Sequence, residues 1–321
     1  MIGLVRSEAL RARSRRIVWV LLVTALLGTL AGVVIAMVNA ERPTQAEIQA
    51  GERRWQRAVA DCEAGGYYSE DDLPPGTTLE EFCGQNVRRE FFVPRADLLF
   101  DDLPEIVEAS AAMLSMLAVV LGASLAGADW STGSMTTVLA WEPRRARAWL
   151  IRAGVAAVSV AVVIAVIVAA FTVMLWLASS ISGSAETSDG PMAAAVATSW
   201  RVVLVSAVFG TIAHAVASLG RSTIAGVGIL FGYAVIFEGF VASMVESLQP
   251  RMLIRAATVI LSGNPLIDPR ASSTFGPDGS FIGADPGAIW LDVPGAWVVL
   301  AGYVVILGAL SIVAFRARDV Q

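Results

Sequence analysis

IVEASAAMLSMLAVVLGASLAGADWSTGSMTTVLAWEPRRARAWLIR, residues 106–152, holds an apolar run, a polar insert and a basic approach to a second apolar run. The first run, taken from Glu105 as 105–126, has about the 20 residues that a helix needs to cross the hydrocarbon core of a bilayer. Inside lipid such a run is helical, because only then do its backbone groups satisfy one another. Leu103-Pro104-Glu105 opens it, with proline where a helix start tolerates it and Glu105 and Glu108 in the first turn, which the helix dipole favours. The second run, 148–178, follows Arg144, Arg145 and Arg147, and Arg152 lies just within it. Arginines gather on the side that is not translocated, so the insert 127–147, with Asp129 as a candidate helix cap, is expected on the cytoplasmic face.

Composition extends this reading to the whole chain. Its 321 residues are 56% hydrophobic with a mean hydropathy of +0.66, far beyond what the core of a water-soluble domain needs. The fold class expected is an all-α polytopic membrane protein. All 23 basic residues are arginine. A Walker A loop needs a lysine for the nucleotide phosphates, so this chain has no P-loop. If ATP drives it, another chain binds the ATP and its Mg, and this chain itself binds no cofactor. Nucleic acid is not an expected partner.

Toward the N-terminus, residues 1–16 carry five arginines against Glu8 alone. They read either as an amphipathic helix lying among lipid headgroups or as a plain basic flank. Span one, 17–38, exceeds the length of a signal-peptide core, so Ser14-Arg15-Arg16 is not taken as a cleaved export signal. Its Gly28 and Gly32 form a GxxxG pair that permits close helix approach. Residues 39–104 turn acidic, with a break at Pro74-Pro75-Gly76, and form a small extracytoplasmic domain rather than an ordinary loop. Thr44 to Cys62 is expected to be helical, with Thr44 and Glu47 as a capping box. The only two cysteines, Cys62 and Cys83, fall here. They are either a disulfide worth about 3 kcal/mol on the chain-entropy model or two unpaired thiols, and outside the membrane the disulfide is expected. Without a neighbouring histidine they make no metal site.

Toward the C-terminus follow span four, 192–219, span five, 223–245, and span six, 296–315. The loop 179–191 carries Glu186 and Asp189 but no arginine. Residues 246–294 are polar except for Met252 to Leu261, an apolar run too short to cross, which leaves a re-entrant or interfacial helix. Turns are expected at Asn264-Pro265, at 276–279 and at 285–287. Ionisable groups inside a bilayer are functional candidates by default. His214 in span four reads as that or as a neutral ring bonded to a neighbouring helix, and Glu238 in span five as a pathway residue or an interhelix partner. Twelve of the 23 arginines lie in 1–16, 127–152, 220–222 and 316–321, Arg316 and Arg318 closing the chain. Those segments, and so both termini, are expected inside the cell.

The insert Asp129-Trp130-Ser131-Thr132-Gly133-Ser134, its apolar stripe and the closing Glu142-Pro143-Arg144-Arg145 resemble the cytoplasmic segment between the second and third helices of ATP-binding-cassette (ABC) permeases of the type-2 exporter family. The resemblance covers nearly the whole chain: a basic N-terminal helix in the place of an amphipathic elbow, six spans, an enlarged first outer loop and a short helix before the last span. Family members often show Glu and Gly-Thr where this chain has Asp129 and Gly133-Ser134, which keeps the acid and the hydroxyl. The resemblance implies a permease subunit that pairs with a second permease, identical or not, and with two copies of an ABC ATPase. Asp129, Trp130, Thr132, Gly133, Glu142, Pro143, Arg144 and Arg145 would then couple to the ATPase, with Phe237 and Glu238 on the pathway. A lysine-free, Ala/Val/Arg-rich chain further suits the plasma membrane of an actinobacterium-like cell.

Two other classes compete. A membrane scaffold or sensor would use the acidic outer domain to bind a partner. An intramembrane serine hydrolase would need His214 within hydrogen-bond reach of Ser115 or Ser124, and the chain offers neither GxSxG nor HExxH. A secondary transporter is disfavoured by the lack of an inverted repeat.

Overall fold

The computed structural model describes residues 2–39, 43–65, 78–94, 102–131, 133, 144–182, 189–268, 273–275, 281–284 and 289–317. The chain is predominantly helical, and six helices are long and apolar enough to cross a membrane: Arg16–Val38, Leu103–Trp130, Arg145–Ile181, Gly190–Gly220, Thr223–Met244 and Val293–Ala317. This is a multi-pass membrane protein whose spans match the expected six, with ends shifted by up to about a turn. The described residues divide into two compact units, each taken here by itself.

The larger unit comprises 1–30, 103–174 and 189–321. It holds α1 (Ile2–Ser14), the start of α2 (Arg16–Asn39), α5 (Leu103–Ser131), most of α6 (Arg145–Ser182), α7 (Asp189–Gly220), α8 (Thr223–Met244), α9 (Leu253–Ser262) and α10 (Val293–Ala317). At its centre stands α7, whose apolar stretch is 67% buried against 6% for that of α8. Leu121 of α5, Ile164 and Ile167 of α6, Val202 and Ile212 of α7, Ile260 of α9 and Leu300 of α10 are almost fully buried together. Lipid is as apolar as leucine, so helices hold here by close packing of small residues rather than by escape from water. The closest approach is Gly122 on Gly210: a Cβ built on Gly122 would lie 2.0 Å from the Gly210 carbonyl oxygen. Gly127 meets Thr223 in the same way at 2.2 Å. The GxxxG glycines picked from the sequence, Gly28 and Gly32, face open space.

Two features depart from the expectation. Span five is not uniform, since Tyr233–Val241 inside α8 is π-helix. The region after α9 is not wholly irregular either. Strands β1 (Leu266–Ile267) and β4 (Ile289–Leu291) pair antiparallel, as do β2 (Ser273–Phe275) and β3 (Phe281–Ala284). Strands of two to four residues are too short to display alternation, so the all-α reading missed them. The turns expected at 276–279 and 285–287 lie outside the described residues, as do Arg318 and Glu186. The short apolar run is a ten-residue helix, α9, closed by Gly263 in the left-handed region (φ 75°) and buried along Leu253, Ala256, Ala257, Val259 and Ile260.

The smaller unit comprises 31–102 and 175–188. Its helix α3 (Gln45–Glu63) starts with the expected capping box: Thr44 Oγ1 accepts from the Glu47 backbone, and the Glu47 carboxylate accepts from the Thr44 N–H at 2.7 Å. Helix α4 (Leu79–Asn86) is joined to it by the Cys62–Cys83 disulfide, so the two cysteines are not free thiols. Trp55 Nε1 donates to the Val87 carbonyl at 2.9 Å, Arg89 pairs with Glu52, and Gly51 lets the Phe92 backbone approach. The Pro74-Pro75-Gly76 break lies outside the described residues.

Candidate functional site

Asp129 is not the cap of a new helix. Helix α5 runs through it and ends at Ser131, which leaves the carboxylate in the last turn, where the helix dipole is unfavourable to an acid. Two arginines offset this. Arg15, in the break between α1 and α2, pairs with one carboxylate oxygen, and Arg152 of α6 pairs with the other. Arg15 also donates to the Ser124 carbonyl at 2.9 Å. Glu8 of α1 completes the group, 3.7 Å from Arg152 and 3.4 Å from Arg11. The Asp129 and Arg152 side chains are 5% and 7% exposed, so the pair is taken out of water and depends on its partners for its stability. Burial pulls the Arg15 guanidinium below its ordinary range, while Glu8 pulls it up and Arg11 down. The result is one ionic knot that ties the basic N-terminal helix to α5 and α6.

Around the knot lies an aromatic layer. Trp130 meets Phe315 edge-on with ring centroids 6.1 Å apart, and the Arg221 guanidinium lies over the Trp130 ring at 4.9 Å. Arg221 occupies the left-handed region (φ 52°) in the tight turn from α7 to α8. Trp149 meets His214 at 6.1 Å. Arg145 reaches the Arg316 carbonyl at 3.1 Å, which draws the start of α6 to the end of α10. Gly133, at φ 69°, and Arg144 are exposed. Thr132, Glu142 and Pro143, with the apolar stripe between them, lie outside the described residues. Of the residues singled out for coupling, then, Asp129, Trp130 and Arg145 are at least partly buried in contacts within the chain, and Gly133 and Arg144 are exposed.

Sequence reasoning did not pair Asp129 with Arg15 and Arg152. The available signal was Arg152 itself, an arginine past the start of an apolar span, which is costly unless paired. Its neighbour His214 is 3% exposed, and its Nδ1 has no hydrogen-bond partner among the described residues. Of the two serines considered for a hydrolase, Ser124 Oγ donates to the Val120 carbonyl at 2.7 Å, and Ser115 Oγ meets Ser206 Oγ at 3.5 Å.

At the other end of α8, Glu238 acts as a cap for a separate helix. Its carboxylate accepts from the Ile254 N–H at 2.7 Å and from the Arg255 N–H at 3.3 Å, at the start of α9, where Met252 provides no side-chain cap. A hydroxyl relay runs beside it. The Leu253 N–H reaches Tyr233 Oη at 3.5 Å, Tyr233 bonds Tyr303 Oη at 2.8 Å, and Tyr303 donates to the Arg251 carbonyl at 3.1 Å. Phe237 stacks on Tyr233 with centroids 5.7 Å apart and remains 52% exposed. Of the two pathway candidates, then, Glu238 is hydrogen-bonded to the start of α9 and Phe237 is exposed.

No protein-family model, curated protein or solved structure matches the chain.

Proposed function

We propose that this chain is the permease subunit of an ATP-driven exporter of the ABC type-2 kind, working as a dimer with a separate ATPase in a bacterial plasma membrane. The observation that carries the reading is the Arg15–Asp129–Arg152 knot. A permease has to convert a push on its cytoplasmic insert into movement of its spans. The insert runs from the end of α5 to the start of α6, and the knot joins those two helix ends to the basic N-terminal helix. Force applied to residues 132–143 would therefore reach three elements at once. On this reading Asp129 transmits rather than docks, while Gly133 and Arg144, both exposed, stand at the docking surface.

Affinity purification of the chain from its native membrane in mild detergent, followed by mass spectrometry, tests the assignment. A stoichiometric P-loop ATPase is expected, with Arg144→Glu losing the ATPase and Asp129→Asn retaining it with uncoupled ATP hydrolysis. If no ATPase accompanies the folded chain, the exporter reading falls.

A further inference from the structure

Between α5, α8 and α9 the larger unit encloses a cavity of about 830 Å³. Its walls are apolar, formed by residues such as Ala112, Phe209, Leu230 and Ala257. Met116 and Phe231, also in the lining, are 57% and 59% exposed, so the cavity opens sideways between α5 and α8 at the level of the apolar spans. Along α5 it extends from Glu105 to Val119, which is about 21 Å at the helical rise. One end differs in chemistry from the rest. Glu105 and Glu108, one turn apart on the same face, line that end together with Ser262 and Asn264. Among the described residues neither carboxylate forms a hydrogen bond or an ion pair. The nearby cation, Arg201, is turned instead to the Leu261 carbonyl at 3.4 Å and packs against Gly263. A helix dipole accounts for acids in the first turn of α5, but not for the apolar hollow they overlook. Two carboxylates thus line that end, and no basic residue is among the residues that form the cavity wall.

We propose that this cavity binds an amphipathic monocation, its apolar body between α5, α8 and α9 and its charged head at Glu105 and Glu108. The volume lies within the range of sites for drug-sized ligands. An amphipathic cation partitions into the membrane and so arrives where the opening lies. That the bound cation is cargo rests on the exporter reading, but its binding does not.

The test uses the full chain with whatever co-purifies, in nanodiscs of zwitterionic lipid without ATP. Tetraphenylphosphonium and tetraphenylborate, equal in shape and opposite in charge, serve as probes, each measured over empty discs. Saturable binding of the phosphonium alone is expected. It should weaken about tenfold in Glu108→Gln, the loss of one charge-assisted contact. It should vanish in Ala112→Trp, which fills the cavity, with both variants melting as the parent does. Equal binding of the two ions, or unchanged phosphonium affinity in Glu108→Gln, overturns the proposal. So does an absence of binding together with a Met116→Cys cross-link between copies, which would mean that a second copy occupies the opening. Because no ATP is used, loss of binding leaves the exporter reading standing, and absence of an ATPase leaves the binding result standing.

Discussion

Asp129 carries the sharpest consequence of the fold. Replacing it with asparagine takes from Arg152, 7% exposed, its nearest charge partner and leaves Glu8 at 3.7 Å. Breaking a buried pair from one side costs about 3–5 kcal/mol, so Asp129→Asn should lower the thermal midpoint in detergent markedly. Removing both charges is a different experiment. The double variant Asp129→Leu/Arg152→Met should recover part of the stability, since apolar groups of similar size often replace a buried pair without loss, while Arg15 and Glu8 each still lose a partner. If the knot also transmits force, that stable double variant will still not couple ATP hydrolysis to transport. Full coupling in it would remove the mechanical role while leaving the structural one. The sequence marked Asp129 as important but not its partners. Arg15 stands 114 positions away, and no periodicity or spacing rule joins two residues brought together only by the way the spans pack.

Among the elements, α9 shows how a ten-residue helix persists far below the length at which isolated helices are stable. Its apolar face is buried and its first N–H groups are held by Glu238. Glu238→Ala should cost about 1–2 kcal/mol, the worth of a strong N-cap, and hydrogen exchange at Ile254 and Arg255 should rise before that of the helix centre. Helix α3 has a cap of the ordinary local kind. The Thr44 backbone and then its hydroxyl hold the exposed Glu47 carboxylate below its usual value of 4.5. A depressed carboxylate stabilises the folded state above its unfolded pKa and loses that contribution as pH falls through the folded one. Helicity at Thr44–Glu52 should therefore drop on acidification below about pH 4, and Glu47→Gln should flatten that response. Replacing Cys62 and Cys83 with serine should cost the smaller unit about 3 kcal/mol, read as a lower melting midpoint under oxidising conditions that vanishes when the parent is reduced. The capping box and the cysteine pair were legible because their signals are local or exclusive. The π stretch at Tyr233–Val241 was not, because composition alone does not separate one helical hydrogen-bond register from the next.

At the scale of the molecule, the six spans were legible from apolar length alone, while their packing was not. A GxxxG search selects Gly28 and Gly32, which face nothing, and passes over Gly122 and Gly210, which touch from different helices. Gly122→Val would put a branched side chain into the Gly210 backbone, which has no flexible group to yield. A loss of more than about 3 kcal/mol, the upper end for overpacking, is expected from denaturation in detergent. Gly28→Ala has open space and should be neutral or slightly stabilising in the isolated chain. A loss seen in the native membrane but not in the isolated chain would point to a second protein against α2.

The nine-residue π stretch of α8 also works as a store of slack. Each wide turn there spends one more residue than an α-turn, so letting Tyr233–Val241 relax into α-helix would release length without breaking the chain. One residue of α-helix corresponds to roughly 100° of rotation and 1.5 Å of advance. Such a slip would swing Phe237 around the axis and draw the Glu238 carboxylate off the start of α9. In that event the hydrogen bonds from Ile254 and Arg255 to Glu238 would be the contacts that have to release first.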